Sequence, residues 1–377
     1  MSDSPASGSS VPQAANLDEP LTGEAAVGAA SDSSVGGSAA PPPGHSADHE
    51  RVYSLLRVAI LVMRIGPGLM LVALVVALRF LSVKFFTTGN IGNVFDQSAT
   101  IALLSIGMLL VILTRGIDLS VGSTIALAAV VGAMAYHHVH SGALIILIML
   151  GVGLAVGTVN GLVYVYGRIP HPFIVTLATM GVIRGLALWL TLGIPKQGMP
   201  HLVSTIGAGR IGWLPKSTFL VAGVALLAVF VCTRMVWGRW IYAVGGNPEG
   251  ARRTGIPVGP VLVSVYAISG LCAGIAGVVL AGQLNAGTPT SGTGAELDAI
   301  AAVVIGGASF LGGRGNIGNA LVGALMIGVI RNGMNLLNVN AYLQPIVIGV
   351  VIVLAVELDV IRRQVENRFR TLEAARA

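Results

Sequence analysis

Long apolar runs alternate along the chain with short polar or glycine-rich breaks. Most of the runs approach the roughly 17–25 residues that a helix needs to cross a bilayer. In order they fall at about 69–83, 97–115, 119–136, 142–166, 172–192, 217–237, 258–282, 297–311, 317–337 and 342–361. The pattern predicts an all-α, polytopic membrane protein with about ten transmembrane helices. The segments at 119–136 and 297–311 are short and flanked by glycine, so they are expected to be half-buried or broken helices, the kind that line transport paths. Residues 1–50 have no such runs. They are rich in Ser, Gly, Ala and Pro and carry Asp3, Asp18, Glu19, Glu24, Asp32, Asp48 and Glu50 without any Lys or Arg, which predicts a disordered tail. The tail lacks the basic and apolar regions of a signal peptide and is expected to be retained in the cytoplasm. A basic lead (Arg51, Arg57, Arg64) then runs into Gly66-Pro67-Gly68, read as a break before the first span. The expected organisation is a tail (1–50), a transmembrane domain (51–361) and a cytoplasmic C-terminal tail (362–377).

Charge orients these spans. With ten spans and a cytoplasmic amino terminus, fifteen Lys and Arg residues fall inside and five outside, Arg184 and Arg331 lying within spans to make up the total of 22. The positive-inside rule favours this arrangement, with both termini in the cytoplasm of a multi-pass inner-membrane protein. The longest external connection is then 193–216 and the longest internal one 238–257. Only 10% of the residues are charged, against about 25% in soluble domains. The net charge of +6 is scattered at helix ends, so the bilayer is the expected partner and nucleic acid is not. Among the 51 glycines, Gly153/Gly157/Gly161 and Gly270/Gly274 recur at four-residue spacing, as do Ala320/Ala324/Gly328, and predict closely packed helix pairs. Cys232 and Cys272 lie in apolar runs without metal or disulfide spacing, and no H-E-x-x-H pattern occurs, so no metal or other cofactor is expected.

The stretch Gly116 to Ser123, G-I-D-L-S-V-G-S, places one carboxylate between two apolar runs. A charge at the centre of a membrane helix costs roughly 2.5–3.5 kcal/mol on insertion scales, so Asp118 is expected to face protein, water or a helix break. Gly116 can end one helix, and Asp118 or Ser120 can cap the next. Asp118, Ser120 and Ser123 are therefore candidates either for the translocation path and its gating or for a helix cap near the membrane surface.

Three further stretches carry chemistry. In Tyr242 to Ile256, Asn247 suits an N-cap, Pro248 the first helical position, Glu249 the positive helix end and Gly255 the close, which predicts a short helix on the cytoplasmic face with Arg252 and Arg253 at its end. Gly287 to Asp298 forms an external loop that re-enters an apolar run through Glu296 and Asp298, placed either to bind a polyhydroxyl ligand or docking partner or to cap the next helix. Gly328, Arg331, Asn332 and Asn335 recur at helical spacing as one polar stripe, facing a water-filled path or the polar groups of another helix.

No G-x-x-x-x-G-K-[ST] occurs, the glycine-rich Gly306–Gly315 carries Arg314 but no lysine, and no catalytic constellation is evident, so no enzymatic step is expected of this chain. G-I-D-L-S-V-G-S at 116–123, G-G-N at 245–247 before a basic helix ending T-G-I, and A-G-T-P-T-S-G-T-G-A-E-L-D-A-I-A-A-V-V-I-G-G at 286–307 resemble the permease subunit of ribose-type ABC importers. The resemblance runs from about Arg51 to the last span. It implies a homodimeric pore of about ten helices per subunit, fed outside by a periplasmic sugar-binding protein and driven inside by a cytoplasmic ABC ATPase subunit. The helix at 248–254 then resembles the coupling helix that docks on that ATPase. The chain departs from the ribose pattern in reading G-G-N-P-E-G-A for the usual G-G-N-E-A-A, and in carrying Arg331 where those permeases have an uncharged polar residue. A branched-chain amino acid permease and an ion-coupled secondary transporter are the alternatives.

Overall fold

A helix that is apolar on every face either packs inside the protein or spans a membrane against lipid. In the computed structural model of the chain, which describes residues 66–374, the helix packed inside the protein is α2. The helices are α1 (Gly66–Leu81), α2 (Thr88–Leu113), α3 (Val121–Tyr136), α4 (Gly142–Tyr166), α5 (Pro172–Thr191), α6 (His201–Gly207), α7 (Lys216–Arg234), α8 (Val236–Gly246), α9 (Pro248–Arg253), α10 (Val258–Leu284), α11 (Ala295–Ile305), α12 (Ile317–Leu336) and α13 (Gln344–Ala374). Ile101–Leu113 of α2 is buried without interruption. Buried residues make up 83% of the apolar window of α2 against 17% of that of α7, which marks α2 as central and α7 as peripheral. Helices α10, α11 and α12 pack directly on α2, while α3 and α4 lie on α10 and α5 lies on α3.

The predicted small-residue runs are where helices come closest. Gly153, Gly157 and Gly161 of α4 lie on the backbone of α10 at Gly270, Gly274 and Val263, and a methyl group at Gly157 would stand 3.0 Å from the Gly270 Cα. Without a hydrophobic drive between lipid-embedded helices, this backbone approach supplies the van der Waals contact that holds the pair. On α12, Gly328 faces Ser98 of α2 and Gly323 faces the Ala302 backbone of α11, and Ala320 and Ala324 are buried as well.

Several boundaries differ from the sequence expectation. α2 begins well before residue 97, because Asn90, Asn93 and Asp96 in its first turns depress hydropathy yet find polar partners in the fold. The run expected at 217–237 divides at Met235, which is extended (φ −90°, ψ 151°), into α7 and α8. α11 stops at Ile305, where the glycine-rich turn begins, and α13 runs on to Ala374. Pro67 and Gly68 lie within α1. The structure also departs from all-α in its connections: β1 (Lys196–Gln197) pairs antiparallel with β4 (Ala286–Gly287), and β2 (Arg210–Ile211) with β3 (Leu214–Pro215). These ladders satisfy loop backbone groups that have no helix to bond to, and the first ties the 193–216 connection to the 286–294 loop.

Among the described residues six helices are long and apolar enough to cross a membrane, and α1, α3 and the segment Ala341–Glu357 are shorter apolar helices. The chain is therefore a mostly helical, polytopic membrane protein. The tail at 1–50 and the basic lead at 51–65 lie outside the described residues.

Overpacking a close helix crossing typically costs about 1–3 kcal/mol. Gly157→Val is expected to lower the thermal unfolding midpoint of the detergent-solubilised protein, whereas Gly151→Ala, with nothing within 4 Å of the added carbon, is expected to leave it unchanged.

Candidate functional site

Between α2 and α3 the chain leaves the helix and buries a carboxylate. α2 ends at Leu113, Arg115 turns through the left-handed region (φ 66°), and Gly116 follows, where a Cβ would meet the Tyr266 side chain and, at 3.0 Å, Val111 Cγ1. Asp118 is fully buried. Its Oδ1 accepts the Ser120 hydroxyl at 2.6 Å and the Ser120 amide at 3.1 Å, and its Oδ2 accepts the Ser269 hydroxyl of α10 at 2.8 Å. Asn160 of α4 donates its Nδ2 to Ser120 Oγ at 2.8 Å. Ser120 occupies the N-cap position of α3, and its carbonyl accepts the Thr124 amide and the hydroxyls of Ser123 and Thr124. One carboxylate thus links the start of α3 to α4 and α10. Hydrogen bonds to a charged group contribute about 1.5–3 kcal/mol each, so these three reduce the cost of burying the carboxylate, which at the centre of a membrane helix is roughly 2.5–3.5 kcal/mol.

The polar stripe of α12 is divided among three neighbours. Arg331 donates to Asp298 of α11 at 2.6 Å, Asn332 and Asn90 of α2 exchange reciprocal amide bonds of 2.9 Å, and Asn335 accepts from Gln344 of α13 at 2.8 Å. Glu296 and Asp298 both sit in the first turn of α11, at its positive end, and Glu296 lies against Gly122 of α3. Arg184 of α5 donates to the carbonyls of Pro289 at 2.7 Å and Ser291 at 2.8 Å, holding the loop before α11. Sequence reasoning missed the partners Asn160, Ser269, Asn90 and Gln344, and with them the Asp96–Arg210 ion pair (2.6 Å). Asn160 lies between Gly157 and Gly161 in an otherwise apolar run, and a lone amide there is the signal that points to it. Ser269 and Asn90 give no comparable signal.

The third group stands apart, at α9. Asn247 caps it by accepting the Gly250 amide at 2.9 Å, Pro248 opens it, and Gly255 follows at φ 85°. Ala251 is buried, while Glu249, Arg252 and Arg253 are exposed, Arg253 pairing with Glu249 at 3.3 Å. Just upstream, the Tyr242 hydroxyl of α8 donates to the Gly315 carbonyl at 2.9 Å. Burial, and to a lesser degree the neighbouring Cys232, push this phenol up to about 12, so it stays a neutral donor.

Apolar helices locked by buried polar bonds, broken at Asp118 and carrying a short capped basic helix, define a polytopic membrane protein organised for more than anchorage. Residues 90–356 match the family described as "Branched-chain amino acid transport system / permease component", and the chain belongs to it. It is 41% identical over 293 residues to the ribose import permease protein RbsC of Escherichia coli (strain K12), covering 77% of this chain and 91% of that one. It is 40% identical over 296 residues to the D-allose transport system permease protein AlsC of the same strain (78% and 90%), and 33% identical over 337 residues to its xylose transport system permease protein XylH (73% and 86%). No solved structure matches. The resemblance carried by the three motifs is thus shown.

Removing one partner of a buried ion pair costs about 3–5 kcal/mol, and the partly exposed Arg331 places this pair at the lower end. Asp298→Asn is expected to lower the unfolding midpoint clearly, and Asp298→Leu combined with Arg331→Met to restore most of the loss in the same thermal assay.

Proposed function

We propose that the chain is the membrane-spanning permease subunit of an ABC importer that moves a monosaccharide, a pentose or hexose, across the inner membrane. The observation that carries this is the alignment with ribose, D-allose and xylose permeases over most of their length. The family's description names branched-chain amino acids, but these relatives are named for sugars, which favours the sugar. An ion-coupled transporter has no counterpart among them. The chain itself performs no chemistry in this account. ATP is hydrolysed by a cytoplasmic ATPase subunit, a periplasmic binding protein delivers the solute, and two copies of the chain form the pore.

The proposed topology has ten spans, counting the short α11 with the six long and three shorter helices, and both termini in the cytoplasm. It is supported by pairings between connections assigned to the same side. Residues 196–197 join 286–287, both external, while Arg115, Gly245 and Gly313 meet at the internal end. In this scheme α9 is the coupling helix. Asn247, Pro248 and Gly255 fix its ends, and the exposed Glu249, Arg252 and Arg253 meet the ATPase. Asp118, Ser120, Ser123, Glu296, Asp298, Arg331, Asn332 and Asn335 form the polar joints around which the path opens and closes.

The test is uptake into proteoliposomes holding the permease, its ATPase and its binding protein. ATP-dependent uptake of labelled ribose, D-allose or xylose is expected, and uptake of leucine with none of the sugars would overturn the proposal. Exposed ion pairs contribute only about 0.2–1 kcal/mol each, so single charge losses on α9 are expected to be mild. Arg252→Glu with Arg253→Glu is expected to abolish uptake while the permease still inserts. Intact uptake, with the ATPase still co-purifying, would remove α9 from the coupling role.

A further inference from the structure

The last carbonyls of α8 are the point at which α9 is attached to the bundle, because Asn247 is both the C-cap of α8 and the N-cap of α9. Terminal carbonyls of a helix lack intrahelical donors, and a cation there is favoured by the helix dipole. Arg115 fills that role from another part of the chain. Its Nε donates to the Gly245 carbonyl at 2.7 Å and its Nη2 to the Gly246 carbonyl at 2.5 Å. The left-handed backbone at Arg115 (φ 66°) follows directly on the end of α2, whose Leu113 carbonyl accepts the Gly313 amide at 2.9 Å. Gly312 and Gly313, both at positive φ, close the other side of the same junction. A methyl group at Gly312 would lie 2.8 Å from the Gly245 carbonyl, and one at Gly313 would lie 2.9 Å from the Gly246 Cα. Three distant stretches therefore converge on the base of α9.

Three residues after Arg115 the chain reaches Asp118, whose hydrogen bonds hold Ser120 at the start of α3 to Ser269 of α10, while Asn160 of α4 donates to the same Ser120 hydroxyl. We propose that Arg115 is a positioning residue for transport: its fork grips the base of α9, so that displacement of α9 is passed through residues 115–118 to the Asp118 joint. This rests on α9 being the coupling helix. A planar guanidinium suits the task because it meets two carbonyls from one fixed plane, whereas a lysine ammonium is a point charge. The Ser120 and Ser269 bonds then keep the moving segment engaged with α3 and α10.

The complete complex of permease, ATPase and binding protein tests this in proteoliposomes, with Arg115→Ala, Arg115→Lys and the Arg252→Glu/Arg253→Glu variant measured side by side. For Arg115→Ala the ATPase is expected to co-purify and basal hydrolysis to stay near the parent value. Stimulation of hydrolysis by the binding protein, and uptake, are expected to fall about tenfold or more, as losing a charge-assisted hydrogen bond implies. If Arg115→Ala does not insert, Arg115→Lys decides by the same ratio, with a fall of about threefold or more expected because the fork is lost while the charge is kept. Unchanged stimulation and uptake in the inserting Arg115 variant, with the double-Glu variant inactive, would overturn the proposal and leave the coupling helix in place. Loss of ATPase co-purification in the Arg115 variants would overturn it by making Arg115 a docking contact. A fully active double-Glu variant would overturn the coupling-helix role and this proposal with it.

Discussion

A carboxylate sealed inside an apolar bundle must have its oxygens occupied, and the way Asp118 meets that requirement shapes the protein around it. Its two oxygens take three donors, two from Ser120 and one from Ser269, and Asn160 backs the Ser120 hydroxyl. The donors come from α10 and from the N-cap residue of α3, which α4 in turn supports through Asn160, so the carboxylate is tolerable only while those elements are in register. Any shift of α3 against α10 has to break or exchange one of these bonds. That gives the bundle a defined position at the α2–α3 break.

The surrounding frame explains why a shift there would be confined. α4 and α10 meet backbone to backbone through Gly153, Gly157 and Gly270, leaving no side-chain slack between them. α12 is fixed separately to α11, α2 and α13 by Arg331–Asp298, Asn332–Asn90 and Asn335–Gln344. The ladder between β1 and β4 and the Arg184 bonds to Pro289 and Ser291 tie the loops at the other end. The glycine-rich junction of Arg115, Gly245 and Gly312, fastened by the Arg115 fork and the Gly313–Leu113 bond, joins this frame to α9.

Much of this was legible in the sequence wherever a local rule dominates. The limits of α4, α5 and α10 followed from hydropathy, the cap of α9 from Asn247 and Pro248, and the close helix pairs from small residues at four-residue spacing. The start of α2 was not legible, because Asn90 and Asp96 look like loop residues until Asn332 and Arg210 arrive from far along the chain. The same limit hid the partners of Asp118: the carboxylate announces itself, but Ser269 and Asn160 are set by how α10 and α4 pack. The stripe on α12 was visible as a stripe, while its division among three neighbours is a property of the tertiary fold alone.

In the proposed function the Asp118 joint takes part in transport and is more than a way of tolerating a buried polar group. An amide in place of the carboxylate keeps the shape and one acceptor but removes the charge that draws both serine hydroxyls, so Asp118→Asn separates the two roles. In proteoliposomes with ATPase and binding protein, Asp118→Asn is predicted to insert and assemble normally while solute uptake slows by about tenfold. Unchanged uptake, together with unchanged stimulation of ATP hydrolysis by the binding protein, would contradict the account and leave Asp118 a structural cap.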